Sequence, residues 1–181
     1  MGATPRKSMK DAVIEYVLDR PKQRVKVTEI ARQLHASKGY VSKTVSNMKK
    51  DGLIKNSLVN LGDPYVRSLK TSINLDKIRR SGIISAIKRI GVRGAGLYGS
   101  WANGTNTEDS DIDIWLKLSG DTAAILVGGL RQQIIERLHV EPQIIILGQN
   151  KINALRKDNE VFYFTLLFGS IILMGEGIGQ I

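Results

Sequence analysis

The sequence predicts an α+β protein in two parts, a small basic helical module followed by a domain built on a mixed sheet, and three observations carry that expectation. The 181 residues are 42% hydrophobic, enough for packed cores in one large domain or two small ones. Charge divides unevenly. Residues 1–72 hold 15 Lys and Arg against 6 Asp and Glu, whereas residues 73–181 hold 12 against 11, so nearly all of the formal +10 lies in the first part. Apolar residues recur with helical spacing through the first part and fall into short, strand-length runs between helical stretches in the second. A basic excess confined to one part points to a polyanion partner there.

Composition narrows the chemistry. With no cysteine, and with His35 and His139 the only histidines, neither a disulfide framework nor a thiolate or histidine-rich zinc site can be built. Any metal is held by oxygen. The N-terminus lacks the apolar core of a signal peptide, and the longest apolar stretch, Val161 to Gly175, is shorter than the roughly 20 residues a membrane span needs. The expectation is a soluble, cytoplasmic protein with no membrane segment.

In the basic part, Val13, Ile14, Val17 and Leu18 form one face of a helix from about Ser8 to Asp19, stopped by Pro21. Thr28 is placed to cap a short second helix with Glu29 in its first turn and Ile30, Ala31 and Leu34 inward. His35-Ala36 is a break, after which Ser37 caps a third helix with Val41, Val45 and Met48 inward. That leaves Lys38, Ser42, Lys43, Ser46, Asn47, Lys49 and Lys50 on its other faces. Two helices joined by a tight turn, the second rich in Lys, Ser and Asn, match a helix-turn-helix whose polar side chains reach base edges while lysines neutralise phosphates. Lys38, Tyr40, Ser42, Lys43, Ser46, Asn47 and Lys50 are the expected DNA contacts, and Tyr40 fits equally well as an interior residue against the second helix. Asp51-Gly52 closes the helix. Leu53 to Leu69 reads as two strands around a turn at Leu61-Gly62-Asp63-Pro64, a wing carrying Lys55, Arg67 and Lys70. The segment Val27–Ile54, with its string EIARQLHASKGYVSKTVSNMKKDGLI, resembles archaeal and bacterial winged-helix regulators. The resemblance implies a winged helix-turn-helix over residues 1–72 with double-stranded DNA as its partner; scarce aromatics argue against stacking on single strands.

Leu75, Ile78, Ile83, Ile84, Ile87 and Ile90 then mark an amphipathic helix beginning near Asn74, with a weak point at Ser81-Gly82, and the domain boundary is expected near Thr71–Ser72. Ala95 to Tyr98 is a short apolar run, Gly99-Ser100 a turn, and Ile112 to Leu118 an alternating strand. Val127, Leu130, Ile134 and Leu138 form a helix packed on the sheet, Val140 to Leu147 a strand, Leu155 to Leu167 a helix, and Ser170 to Met174 a last buried strand before a frayed Gly-rich end, Gly175 to Ile181.

The chemistry lies in GLYGSWANGTNTEDSDIDIWL, Gly96 to Leu116. Asp111 and Asp113 are two apart on a strand, which puts both carboxylates on one face and Ile112 and Ile114 on the other. Two adjacent like charges are costly unless a cation lies between them, and oxygen ligands select Mg²⁺ or Mn²⁺. Gly99-Ser100, at a strand-to-helix turn, would offer backbone N–H groups and a hydroxyl to an anion. A phosphate site beside a carboxylate metal site is the equipment for nucleotidyl transfer from a nucleoside triphosphate. Trp101 and Trp115 can stack on a base or pack beside the site, and neither is assigned to it.

This string resembles the polymerase-β nucleotidyltransferase superfamily, and GSWANGTNTEDSDIDI is similar to the motif of its small, minimal archaeal and bacterial members. Gly99, Ser100, Ala102, Gly104, Ser110, Asp111 and Asp113 match; Asn103 stands where many relatives carry Arg. The resemblance, over about Asn74 to Met174, implies a nucleotidyltransferase domain at residues 73–181, a triphosphate over Gly99, Ser100 and Ser110, and divalent ions on Asp111 and Asp113. It also implies a third carboxylate on a later strand, where this chain has Gln143 at the aligned position and Glu141 two residues earlier. Gln is neutral and cannot serve as a base, although it can contact metal or nucleotide, so Glu141 is the expected substitute. Minimal relatives act beside HEPN-type toxins, which implies a toxin partner or acceptor; a homodimer is expected from the winged helix. The alternative is a DNA-binding regulator, an antitoxin among the options, whose nucleotidyltransferase fold is inactive and serves nucleotide sensing or dimerisation.

Overall fold

The computed structural model describes residues 7–118 and 123–179. They form two compact units that divide between Lys70 and Thr71.

In the first unit α1 (Met9–Leu18), α2 (Val27–Gln33) and α3 (Lys38–Lys50) precede a hairpin of β1 (Ile54–Lys55) and β2 (Leu58–Val59). The side chain of Ser8 accepts the Asp11 N–H and that of Ser37 the Tyr40 N–H, each satisfying a donor the helix leaves open. Thr28 does not cap α2. The helix begins one residue earlier, at Val27, and its cap position is Lys26, in extended conformation with no side-chain bond. His35 takes a left-handed conformation (φ 50°) in the turn between α2 and α3, and the Ala36 N–H returns to the Ala31 carbonyl at 3.0 Å. Val13, Val17, Leu18, Ile30, Val41, Val45 and Met48 fill the core.

The two strands expected over Leu53–Leu69 are only a short hairpin, β1 and β2. Its turn is Asn56-Ser57, with φ of 52° and 63°, the positive pair that a two-residue hairpin turn demands. Asp63-Pro64 instead starts α4 (Pro64–Arg80), where Asp63 Oδ1 accepts the Tyr65 N–H at 2.8 Å and Pro64 occupies the first helical position. The connecting helix thus begins ten residues before Asn74. Val66, Lys70, Asn74 and Ile78, four apart along α4, are all fully buried. Lys70 is therefore no wing residue: its ammonium donates to the carbonyl of Leu18 at 2.8 Å, where a cation is stabilised by the C-terminus of α1.

The second unit continues with α5 (Ile83–Ile90), β3 (Gly94–Tyr98), α6 (Gly99–Asn103), β4 (Ile112–Lys117), α7 (Ala123–Leu138), β5 (Pro142–Leu147), α8 (Gln149–Asp158), α9 (Glu160–Gly169) and β6 (Ile171–Gly175). The sheet order is β5-β4-β3-β6, with β4 and β5 parallel and the other pairs antiparallel, so the sheet is mixed as expected. The two-residue period of β4 separates two cores. Ile112, Ile114 and Leu116 pack with Ile83, Ile87, Leu130 and Ile134, while Trp115 joins Tyr98, Ile152, Tyr163 and Leu166 on the opposite face. Gly96 lies opposite Trp115, and a Cβ there would overlap the indole; glycine lets the ring lie across β3.

Three expectations for the C-terminal region change. The helix read over Leu155–Leu167 is two, α8 and α9, separated at Asn159, whose side chain caps α9 by accepting the Phe162 N–H at 3.1 Å. The last strand, β6, is a sheet edge and only partly buried, with Ile172 53% exposed. The Gly-rich end is not frayed as far as it is described: Glu176 pairs with Arg93 at 2.9 Å and Lys117 at 3.0 Å, and Ile178 is buried, while Gln180 and Ile181 lie outside the described residues. Among the described residues no helix is long and apolar enough to cross a membrane.

Candidate active site

The site is built where the buried strand β3 breaks into the short helix α6. Tyr98 ends β3 in extended conformation and Gly99 turns the chain with φ +67°, a left-handed conformation that costs a side-chain-bearing residue roughly 1–2 kcal/mol. Glycine is needed at this position for a second reason: a Cβ on Gly99 would overlap the carboxylate of Asp113. The acid therefore lies directly against the Gly99-Ser100 turn.

Side chains from α4 hold the far end of α6. Asn74, fully buried, donates to the Trp101 carbonyl and to Asn106 Oδ1, both at 2.9 Å, and the Thr71 hydroxyl donates to the Ala102 carbonyl at 3.0 Å. These bonds satisfy carbonyls that the end of a helix leaves open. Thr71, Asn74 and Asn106 were not among the residues singled out from sequence. The available signal was Asn74 recurring on the otherwise inward stripe of α4, since a polar residue on a buried face is rarely there without a partner.

Asp111 stands immediately before β4 and Asp113 is its second residue, both half-buried. Asp113 lies in register between Tyr98 of β3 and Gln143 of β5. Burial, and after it the charge of Asp111, push the Asp113 carboxyl above its ordinary value, and burial with the charge of Asp113 pushes the Tyr98 phenol up to about 12. Gln143 is exposed and its Nε2 donates to Asp111 Oδ2 at 2.9 Å, so the residue at the aligned third position orients an acid.

The other residues expected at the site are placed differently. Glu141 pairs through its carboxylate with Arg131 of α7 at 3.1 Å, and its carbonyl accepts the Ile112 N–H. Ser110 is bound into the loop before β4, where its hydroxyl accepts the Thr107 N–H at 2.8 Å. Trp101 and Trp115 are both buried, and neither presents a face for stacking at the surface. Among the described residues, no group of three or more acidic or histidine side chains could hold a metal. Two carboxylates and a neutral amide remain. That donor set suits Mg²⁺, which keeps several waters and binds through one or two carboxylates together with substrate phosphates.

On α3 the seven residues expected to meet DNA, Lys38, Tyr40, Ser42, Lys43, Ser46, Asn47 and Lys50, are all exposed, and Val41, Thr44, Val45 and Met48 face inward. Tyr40 is 42% exposed, so the interior alternative for it does not hold.

No curated protein matches the chain. Among solved structures, the chain is similar to a crystal structure of a mutant toxin–antitoxin pair, MntA-HpeT, with 20% identity over 52% of this chain and 71% of that one, and a TM-score of 0.41. It is similar also to a toxin–antitoxin structure with AMP-PNP, with 22% identity over 57% of this chain and 74% of that one, and the same TM-score of 0.41. Residues 80–167 match the family model of the nucleotidyltransferase domain, a stretch that contains Gly99, Ser100, Asp111, Asp113 and Gln143.

Proposed function

We propose that the second unit is a metal-dependent nucleotidyltransferase that moves a nucleoside monophosphate from a triphosphate to a hydroxyl of a protein, small molecule or nucleic acid. The observation that carries the reading is the seating of Asp113 against the Gly99-Ser100 turn, with Asp111 alongside it. Asp111 and Asp113 would hold Mg²⁺ or Mn²⁺, which would neutralise phosphate charge and lower the pKa of an attacking hydroxyl. The N–H groups of the Gly99-Ser100 turn take phosphate oxygens, and Gln143 keeps Asp111 oriented. In the reaction the acceptor oxygen bonds to the α-phosphorus, the bond to pyrophosphate breaks, and the hydroxyl proton passes to a neighbouring base or water. The test is transfer of label from the α-phosphate of ATP, GTP, CTP or UTP to candidate acceptors with Mg²⁺, abolished by Asp111→Ala; a HEPN-type toxin is one protein acceptor to try.

The first unit is proposed as a winged helix that docks on double-stranded DNA, supported by the seven exposed α3 residues and the basic excess. Loss of duplex affinity with rising salt tests it.

A second reading is favoured by one specific observation, the absence of a third acidic or histidine ligand among the described residues. A missing base costs roughly 10²–10⁴-fold in rate while leaving nucleotide binding intact. In that case the chain is a DNA-binding regulator or antitoxin that senses nucleotide, and Mg²⁺-triphosphate binds without any label transfer.

A further inference from the structure

Helix α9 buries Tyr163 and Leu166 and turns a second apolar stripe to solvent. Val161, Phe164, Thr165 and Phe168 follow the spacing i, i+3, i+4, i+7, so they share one face. Val161 is 81% exposed, Phe168 79% and Phe164 40%, and the two phenyl rings stack nearly parallel with their centroids 5.8 Å apart. A single exposed apolar side chain is ordinary. Three in one stripe, two of them aromatic, mark a surface that another molecule covers.

Polarity, charge and area all suit a second copy of this chain. The hydroxyl of Thr165 already donates to the Val161 carbonyl at 2.8 Å, so covering the stripe strands no polar side chain. The chain carries a formal +10 but has no lysine or arginine between Asp158 and Glu176, so two copies can meet here without opposing their excess charge. A standard interface hides roughly 800 Å² per partner, about 60% of it apolar, or roughly 480 Å². At about 150–250 Å² for a whole aromatic side chain, Phe164 and Phe168 leave roughly 180–300 Å² in water, and Val161 adds to that. One helix thus supplies about half or more of the apolar area that a dimer needs.

We propose that α9 is the two-fold interface of a homodimer, packed antiparallel on α9 of a second copy. A two-fold axis between Phe164 and Thr165 sets Val161 against Phe168 of the second copy and Phe164 against its Thr165, so each large side chain meets a small one. Glu160, the only charge on α9, comes opposite Gly169, which has no side chain to oppose it. The contact belongs to the second unit, not to the first, on which the sequence-based expectation of a homodimer rests. It does not depend on the transfer reading. An interface of one helix from each copy is small, so the dimer forms at micromolar rather than nanomolar concentration.

Sedimentation of the full chain over about 1–100 µM should show reversible monomer–dimer association. Phe168→Lys, an exposed change whose melting curve establishes that it folds, should weaken that association by at least about tenfold. Orientation is read separately. The chain has no cysteine, so single cysteines report this contact alone. Thr165→Cys, beside the axis, should form a covalent dimer under mild oxidation, because facing Cα atoms of packed helices come within disulfide reach. Val161→Cys should not, since the two copies of residue 161 lie about 10 Å apart along the helices. A wild type that stays monomeric throughout overturns the proposal and leaves the stripe to a different protein; a dimer that Phe168→Lys leaves unchanged overturns it by placing the contact elsewhere. Failure of Thr165→Cys to cross-link, or equal cross-linking of both cysteines, overturns the antiparallel pairing.

Discussion

Replacing Gly99 by Ala tests the join between the turn and the acid, because the structure assigns the substitution two separable costs. The first is conformational: φ of +67° costs alanine roughly 1–2 kcal/mol. The second is steric, since the new methyl overlaps the Asp113 carboxylate and drives that side chain off its rotamer, at roughly 0.5–1.5 kcal/mol. Gly91 supplies the control. Its φ is +78° and a Cβ there meets nothing within 4 Å, so Gly91→Ala carries the first cost alone. Gly91→Ala should lower stability by about 1–2 kcal/mol, and Gly99→Ala by about 1.5–3.5 kcal/mol, a fall in melting temperature of roughly 5–15 °C for a unit of this size. Thermal denaturation and Mg²⁺-dependent triphosphate binding are measured on both. Gly91→Ala keeps binding and Gly99→Ala loses it. Equal destabilisation with normal binding in both variants would refute the placement of Asp113 against the turn.

Other outcomes follow from single contacts. Asn74→Ala leaves the Trp101 carbonyl and Asn106 side chain without their buried donor, and denaturant unfolding should show a loss of roughly 1–3 kcal/mol; a loss below about 0.5 kcal/mol would mean α6 is not held this way. Lys70→Ala and Lys43→Ala should separate cleanly. The first removes the buried donor to Leu18 and lowers stability by roughly 1.5–3 kcal/mol without changing the salt dependence of duplex binding. The second removes an exposed charge on α3 and reduces the slope of log affinity against log salt by about one, with little change in stability. Glu176 tests pH linkage: hydrogen bonds from Lys117 and then Arg93 hold its carboxyl below its ordinary value. Its contribution is therefore complete above the unfolded value of about 4.3 and is lost as pH falls through the lower folded value. Glu176→Gln should be less stable than wild type at pH 7 and converge with it in acid; a constant gap would show that the bridge contributes nothing.

Much of the fold was legible because local chemistry and tertiary packing agree. The apolar faces of α1 and α3 repeat at helical spacing and both begin with a serine that caps them. Asp113 and its neighbours obey the strand period, which by itself separates the acids from Ile112 and Ile114. Where two local meanings compete, sequence alone does not choose between them. Asp63-Pro64 has the chemistry of a turn and also of a helix start, and only the continuation of α4 decides it. Asn56-Ser57 lacks the glycine that usually marks a two-residue turn, so the sequence does not reveal how short the hairpin is. Lys70 read as one more basic residue because periodicity reveals a face but not what lies opposite it. The same limit applies at the site. Asp111 and Asp113 announce themselves by spacing, whereas the Gln143 bond to Asp111, the pairing of Glu141 with Arg131 and the grip of Asn74 on α6 depend on which elements pack together.

The most direct test of the central claim is triphosphate affinity measured as a function of Mg²⁺ in the wild type, Asp111→Asn and Asp113→Asn. Both variants keep the shape of the acids and remove their charge. If the two carboxylates hold a cation beside the Gly99-Ser100 turn, Mg²⁺ strengthens wild-type binding by at least about tenfold, or 1.4 kcal/mol, and has no such effect in either variant. Triphosphate binding that is indifferent to Mg²⁺, or equally Mg²⁺-dependent in all three proteins, would contradict it.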